Sequence, residues 1–157
     1  MNIKLLLMDC DGVLTDGRLY FSSRGEEMKV FDVRDGQGIV SWHRAGFKSG
    51  IISGRGASEI INKRAEELGI EFVRTSSPDK IRDLNEIVET IGLSLDEVAF
   101  VGDDVGDIDV MKRVGFAVAV ADAVDETKSV ASYITTANGG RGAVREVIDM
   151  LLAKQIK

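Results

Sequence analysis

Short apolar runs alternate with longer amphipathic segments along this chain, and the alternation restricts the folds that it can adopt. Residues 56–68 and 78–91 carry apolar side chains at helical spacing, and Gly69 and Gly92 follow them where a helix can stop in the left-handed conformation. Apolar strands separated by helices typically form a parallel sheet covered on both faces. We therefore predict an α/β fold with a Rossmann-like parallel sheet. The predicted strands are residues 3–8, 49–52, 71–73, 98–101, 116–120 and 133–135.

One segment interrupts this alternation. Residues 18–21 and 28–31 are short strand-like runs, and the stretch between them contains Gly25. This pattern predicts a β-hairpin that projects beside the first strand of the sheet. A chain of 157 residues has the length of one ordinary domain. We predict a single domain over residues 1–157, with the hairpin as an insertion at about residues 18–31.

The composition disfavours several classes of partner. A formal net charge of -6 repels nucleic acid and anionic membranes, so neither is expected to bind, although a phosphate group could bind locally. The single cysteine, Cys10, cannot form an internal disulfide and is expected to be a buried packing residue. The first residues lack the pattern of a signal peptide, which predicts a cytoplasmic location.

Acidic side chains follow two of the predicted strands. Asp9 and Asp11 come directly after the first strand, and Asp103 and Asp104 follow the strand at residues 98–101. Carboxylates that lie close together repel one another, so a fold keeps them there where a cation or a reaction offsets the repulsion. Ligands of parallel α/β sheets bind beyond the carboxyl ends of the strands. The sequence therefore predicts a functional site at this edge of the sheet.

Two further groups suit the same site. Ser53 ends a third predicted strand, and Lys80 opens the helix that follows the strand at residues 71–73. An aspartate nucleophile, a second carboxylate, a hydroxyl group and a lysine are the groups that phosphoryl transfer through an aspartyl phosphate requires. We expect Asp9 to attack phosphorus, and Asp11 to act as general acid and then as general base.

A magnesium ion would offset the repulsion between the nucleophile and a phosphate dianion. Its expected ligands are the carboxylates of Asp9 and Asp103 and the backbone carbonyl oxygen of Asp11. Asp104 is also expected on the metal side, whereas Asp107 is expected only to orient the loop. Lys80 is expected to hold Asp9 and a phosphate oxygen. The expected ligands of the remaining phosphate oxygens are Ser53 and the backbone N–H groups near Gly12 and Gly54.

These motifs resemble, in order, the four motifs of the haloacid dehalogenase-like (HAD) phosphatases. Three further segments are similar to the 3-deoxy-D-manno-octulosonate 8-phosphate phosphatases of that superfamily. The superfamily motifs are residues 9–17, 51–55, Lys80 and 102–104, and the further segments are residues 33–36, 118–123 and 139–146.

The resemblance implies a phosphatase without a cap domain that uses Mg²⁺ and hydrolyses a sugar-acid phosphate in lipopolysaccharide precursor synthesis. It also implies a homotetramer that assembles through the hairpin. By the same resemblance Arg55 would contact the substrate, and Arg64 would reach the substrate carboxylate. Arg141 either leads into the last helix or lies near the substrate across a subunit boundary.

Three alternatives stay open on the sequence. The substrate could be a nine-carbon 2-keto-3-deoxy sugar-acid 9-phosphate, although Arg55 favours the eight-carbon sugar because relatives that act on longer sugars tend to carry Glu there. The second alternative is a signalling receiver domain that binds partners. It would need a carboxylate at the end of a middle strand, and the matching strand ends at Ser53 instead, which argues against this class. A non-catalytic assembly module would have no need of the intact acidic residues and Lys80.

Overall fold

The computed structural model describes residues 1–155, which form one parallel sheet, one hairpin and six α-helices. The strands are β1 (Leu5–Met8), β2 (Tyr20–Ser22), β3 (Gly25–Met28), β4 (Lys48–Ile52), β5 (Phe72–Arg74), β6 (Val98–Gly102), β7 (Phe116–Ala119) and β8 (Tyr133–Ile134). The helices are α1 (Val33–Arg44), α2 (Ser58–Leu68), α3 (Lys80–Ile91), α4 (Ile108–Met111), α5 (Asp125–Ser129) and α6 (Ala143–Gln155).

The sheet has six strands in the order β5-β4-β1-β6-β7-β8, and all neighbouring strands run parallel. β1 lies in its interior, where Leu5 pairs with Lys48 on one side and with Val98 on the other. All four residues of β1 are fully buried. A strand that is covered on both faces reads as a continuous apolar run, and this explains why the sequence shows no alternation here. The predicted Rossmann-like sheet is confirmed.

Helices flank the sheet and close the core. α1 packs against α6 and β4, while α3 and α4 pack against β4 and β6, respectively. Trp42 on α1 is fully buried, and its indole N–H donates a 2.8 Å hydrogen bond to the carbonyl oxygen of Lys48. Gly69 and Gly92 end α2 and α3 with φ of 72° and 67°, as predicted for left-handed helix stops.

The hairpin is present, but the bounds of its predicted strands are displaced by one to three residues. The structure has β2 at Tyr20–Ser22 and β3 at Gly25–Met28, joined by a tight turn, and Gly25 takes a φ of 98°. Phe21 is 68% exposed and Met28 is 50% exposed. Because the ribbon buries few of its side chains in this chain, hydrophobic alternation does not reveal its register.

Within residues 1–155, the hairpin is the insertion between β1 and α1, and no cap domain is present. None of the helices described is long and apolar enough to cross a membrane. The single domain over residues 1–157 and the cytoplasmic location stay predictions, and residues 156 and 157 lie outside the described part of the chain.

Candidate active site

The turn after β1 holds Asp9 at the rim of the sheet. The Asp9 N–H donates to the carbonyl oxygen of Val101 at 3.1 Å, and Asp9 Oδ1 accepts the N–H of Cys10 at 2.7 Å. The Thr15 hydroxyl oxygen accepts the N–H of Gly12 at 3.2 Å, which fixes the turn that follows. The central strand and this closed turn therefore point a carboxylate of defined orientation out of the sheet.

Position 12 requires a glycine because the backbone there lies very close to the Asp103 carboxylate. Its φ is 87°, and a Cβ atom built on it would lie 1.9 Å from Asp103 Oδ2. The absence of a side chain thus lets the turn after β1 approach the carboxylate that follows β6. This contact joins the first and last acidic motifs.

Asp107 is folded back into the site by a single 3₁₀ turn, Val105–Asp107. It is 1% exposed, and its Oδ2 accepts the N–H groups of Asp103 at 3.0 Å and Asp104 at 3.3 Å. Its Oδ1 accepts a hydrogen bond from Lys80 Nζ at 2.8 Å. Oxygen atoms of Asp9, Asp103 and Asp107 lie within 4.8 Å of one another, which makes these residues the acidic cluster of the site.

Burial and mutual repulsion dominate the electrostatics of the acidic cluster. Burial raises the pKa of Asp9, and the Asp107 carboxylate raises it further despite Lys80. Burial also raises the pKa of Asp103, with Asp9 as the next cause. Asp103 Oδ1 is buried and has no hydrogen-bond partner among the described residues. Converging carboxylate oxygens with an unsatisfied member fit a hard divalent cation such as Mg²⁺.

The place of Asp104 on the metal side stays a prediction. Asp104 lines the cleft but is exposed, its Oδ1 accepts the N–H of Val105 at 2.7 Å, and it lies outside the acidic cluster. Asp107 orients the loop as predicted, because it accepts the N–H groups of Asp103 and Asp104, and its carboxylate also belongs to the acidic cluster. Its spacing four residues after Asp103 was the available signal, because a tight turn brings such a side chain back over the strand end.

Lys80 is the first residue of α3 and reaches the acidic cluster from outside the sheet. Its Nζ lies 3.3 Å from Asp9 Oδ1 as well as 2.8 Å from Asp107 Oδ1. Burial alone would lower the pKa of Lys80, but the two carboxylates outweigh burial and raise it. The ammonium group therefore stays charged at neutral pH beside the nucleophile position.

Asp11 points into a separate network. Lys29 Nζ donates to Asp11 Oδ1 at 2.6 Å and to Glu26 Oε1 at 2.7 Å. Arg55 approaches both acids, with Nε 3.7 Å from Asp11 Oδ2 and one terminal nitrogen 3.5 Å from Glu26 Oε2. Sequence reasoning missed Lys29 and Glu26. Two charged residues in a segment assigned to an exposed hairpin were the signal that could have found them.

The cleft at the strand ends collects most of the predicted site residues. Arg64 is not among the residues that line it: its guanidinium lies 5.5 Å from the centre of the Phe31 ring and pairs with Glu67 at 3.1 Å. Its contact with the substrate carboxylate stays a prediction. Predicted residues that do line the cleft are Asp9, Asp11, Ser53, Gly54, Arg55, Lys80, Asp103 and Asp104.

Cys10 lies between the two aspartates but is fully buried, as predicted. Burial, followed by the Asp11 carboxylate, raises the pKa of its thiol to about 12. A thiolate is the reactive form of cysteine, so this side chain is a packing residue.

The sheet order and the acidic cleft define a haloacid dehalogenase-like hydrolase, and the sequence profile of that family matches residues 52–148. The 3-deoxy-D-manno-octulosonate 8-phosphate phosphatase of Yersinia pestis is 44% identical over 156 residues, which covers 99% of this chain and 83% of the relative. The chain belongs to the haloacid dehalogenase-like hydrolases and, among them, to the family of these phosphatases. The resemblance predicted from the motifs is thereby confirmed.

Solved structures agree with this assignment. The crystal structure of the Yersinia pestis phosphatase matches with a TM-score of 0.94 at 44% identity and covers 98% of this chain and 83% of that one. The phosphatase of Moraxella catarrhalis, solved in complex with a magnesium ion, a phosphate ion and a KDO molecule, matches with a TM-score of 0.94 at 39% identity. That match covers 98% of this chain and 88% of the other.

Proposed function

We propose that this protein is a magnesium-dependent phosphatase that hydrolyses 3-deoxy-D-manno-octulosonate 8-phosphate to the free sugar acid and phosphate. The convergence of Asp9, Asp103, Asp107 and Lys80 from separate segments carries the proposal. The similarity to the Yersinia pestis 3-deoxy-D-manno-octulosonate 8-phosphate phosphatase supports the proposed substrate. The Moraxella catarrhalis complex supports both the substrate and the metal.

In the first step, Asp9 attacks phosphorus, so that an Asp9–phosphorus bond forms while the bond from phosphorus to the sugar oxygen breaks. Lys80 lies 3.3 Å from Asp9 and orients its carboxylate. Asp9, Asp103 and Asp107 would hold Mg²⁺, which would supply positive charge that offsets the repulsion between carboxylate and phosphate. The carbonyl oxygen of Asp11 stays a further predicted ligand.

Asp11 handles the protons of both steps. In the first step it gives its proton to the departing sugar oxygen, and in the second it takes a proton from the water that attacks phosphorus and releases Asp9. Ser53 is 1% exposed directly after β4, Gly54 lines the cleft beside it, and Gly12 lies in the turn that approaches Asp103. The Ser53 hydroxyl and the N–H groups near Gly12 and Gly54 are the proposed ligands of the remaining phosphate oxygens.

Arg55 is the proposed contact to the sugar acid. Its side chain is 47% exposed at the cleft, so its guanidinium has donors free to bind a carboxylate. A planar guanidinium binds a carboxylate through two parallel hydrogen bonds, which the nine-carbon alternative with Glu at this position would lack.

We infer that the hairpin carries a subunit contact and that the protein is a homotetramer. Four side chains in and beside the hairpin are more exposed than is usual for apolar residues: Leu19 at 45%, Phe21 at 68%, Met28 at 50% and Val30 at 50%. Phe21→Glu should dissociate the assembly in sedimentation experiments. A parent chain that is monomeric at micromolar concentration would contradict this inference.

The substrate is tested by phosphate release with Mg²⁺ from eight-carbon and nine-carbon sugar-acid phosphates and from hexose phosphates. We expect kcat/KM to favour the eight-carbon substrate by at least about tenfold. A smaller preference for any sugar acid would defeat the substrate assignment without affecting the assignment as a phosphatase.

The mechanism is tested by Asp9→Asn, which should lower kcat by at least about a thousandfold while the fold is retained. Asp109→Asn is the matched control, because Asp109 is an acid on α4 outside the cleft. Near-parental turnover by Asp9→Asn would exclude nucleophilic catalysis by Asp9.

A further inference from the structure

Lys29 is a buried lysine that the hairpin places against Asp11, beside the active-site cleft. Its side chain is 1% exposed, while the carboxylates it contacts, Asp11 and Glu26, are 16% and 7% exposed. Burying an ammonium group is costly unless charged partners and hydrogen bonds surround it. Lys29 donates hydrogen bonds to Asp11 at 2.6 Å and to Glu26 at 2.7 Å, so these two carboxylates hold its ammonium group in place.

The contacts of Lys29 are asymmetric with respect to the Asp11 carboxylate. Oδ1 accepts the lysine hydrogen bond, and among the described residues Lys29 is the one hydrogen-bond donor to this carboxylate. Oδ2 is buried without a hydrogen-bond partner, and Arg55 Nε lies 3.7 Å from it. One oxygen is thus held and the other is left unsatisfied at the cleft.

Charge balance points to orientation as the role of the pair. Glu26 offsets the positive charge of Lys29, so the two side chains hold Asp11 without adding net charge beside it. The acidic cluster of Asp9, Asp103 and Asp107 does not include the Asp11 side chain. The hairpin therefore supplies the support that the sheet does not give to this carboxylate.

We propose that Lys29, itself held by Glu26, is a positioning residue that fixes the Asp11 carboxylate so that Oδ2 faces the leaving-group oxygen of the substrate. This proposal rests on the proposed phosphatase function. In the first step the proton passes from Asp11 Oδ2 to the sugar oxygen as the bond from that oxygen to phosphorus breaks. Loss of Lys29 lets the carboxylate rotate away from that oxygen, which slows proton transfer while the nucleophile and the acidic cluster stay in place.

The test compares two leaving groups in the first turnover. An alkoxide from the sugar-acid phosphate needs a proton as it departs, whereas p-nitrophenolate departs without one. In rapid-mixing experiments, Lys29→Met should slow first-turnover cleavage of the sugar-acid phosphate by at least about tenfold. Release of p-nitrophenolate from p-nitrophenyl phosphate should change by less than about threefold, because that step does not depend on general-acid catalysis.

Glu26→Gln keeps the shape of the side chain and provides a second variant should Lys29→Met fold poorly. Because Glu26 also approaches Arg55, rates are compared at saturating substrate, where weaker binding does not contribute. Under these conditions Glu26→Gln should slow cleavage of the sugar-acid phosphate in the same selective way, since Lys29 then has a weaker partner. Glu27→Gln is the matched control, because it breaks the exposed 2.7 Å pair with Arg24 on the same hairpin and does not touch Asp11. This control should leave both first-turnover rates within about twofold of the parent.

Equal slowing of both substrates by folded Lys29→Met or Glu26→Gln would overturn the proposal, because a general distortion of the site affects both leaving groups. Parental rates with both substrates would overturn it as well. A parent protein that cleaves neither substrate refutes the proposed phosphatase function itself, and this outcome is distinct from any pattern among the variants.

Discussion

The Asp35 carboxyl group gives a stability prediction that is independent of the active site. Asp35 lies in the first turn of α1 and is 2% exposed. Its carboxylate accepts the N–H groups of Arg145 at 2.9 Å and of Gly142 at 3.4 Å, which ties α1 to the start of α6. Burial nevertheless raises the pKa of Asp35 from 3.8 to about 6, because these hydrogen bonds only partly compensate it and Asp32 lies nearby.

The sign follows from proton linkage. Between the unfolded pKa of 3.8 and the folded pKa of about 6, the folded state binds more protons, so the free energy of unfolding falls as pH rises. Each pKa unit corresponds to about 1.4 kcal/mol, so ionisation of Asp35 costs the folded state about 3 kcal/mol when complete. About half of this cost is present near pH 5, and the remainder develops by about pH 8.

Asp35→Asn removes the ionisation and keeps one oxygen acceptor. Urea unfolding of the parent and the variant should therefore show the parent losing about 1.4 kcal/mol relative to the variant between about pH 5 and pH 8. The amide group that this substitution introduces opposes a backbone N–H donor and adds a cost, but that cost does not vary with pH. A stability difference that stays constant within about 0.3 kcal/mol across this range would refute the reasoning.

Three further predictions concern the site. Gly12→Ala should destabilise the fold by about 1–2 kcal/mol because of its positive φ, and should displace Asp103, so that denaturant unfolding and Mg²⁺ titration both detect it. Asp107→Asn should weaken Mg²⁺ binding in calorimetry by about tenfold or more, whereas the exposed Asp104→Asn should change it by less than about threefold; the reverse order would identify Asp104 as the ligand. Chelation of divalent cations should abolish phosphate release and added Mg²⁺ should restore it, and turnover that persists in excess chelator would contradict the metal requirement.

The sheet was predictable from the sequence because its strands are buried on both faces. β1 and β6 read as continuous apolar runs with acidic residues directly after them, and parallel strands end at a common rim. Asp9 and Asp103 could thus be brought together without coordinates. Lys80 followed from its order relative to these motifs and from the helix that it begins.

The hairpin was predictable as an element but not in its register or its chemistry. Its strands bury few side chains, so no pattern fixed which residues pair. The ion pair between Glu26 and Lys29 depends on where Asp11 lies in space, and a single sequence does not give that position. Arg64 shows the same limit, because its partners in this chain, Phe31 and Glu67, are set by the packing of α2.

The place of β1 in the sheet has a consequence for synthesis on the ribosome. β1 has two neighbours in the sheet, β4 and β6, and Leu5 pairs with Lys48 of the one and with Val98 of the other. Since β4 precedes β6 in the chain, β4 leaves the ribosome well before β6. Until Val98 has left the exit tunnel, one edge of a wholly apolar strand has no native partner, and such an edge is a template for pairing with other chains. Nascent chains that stall between β5 and β6 should therefore depend on chaperones more than those released after β7 has formed.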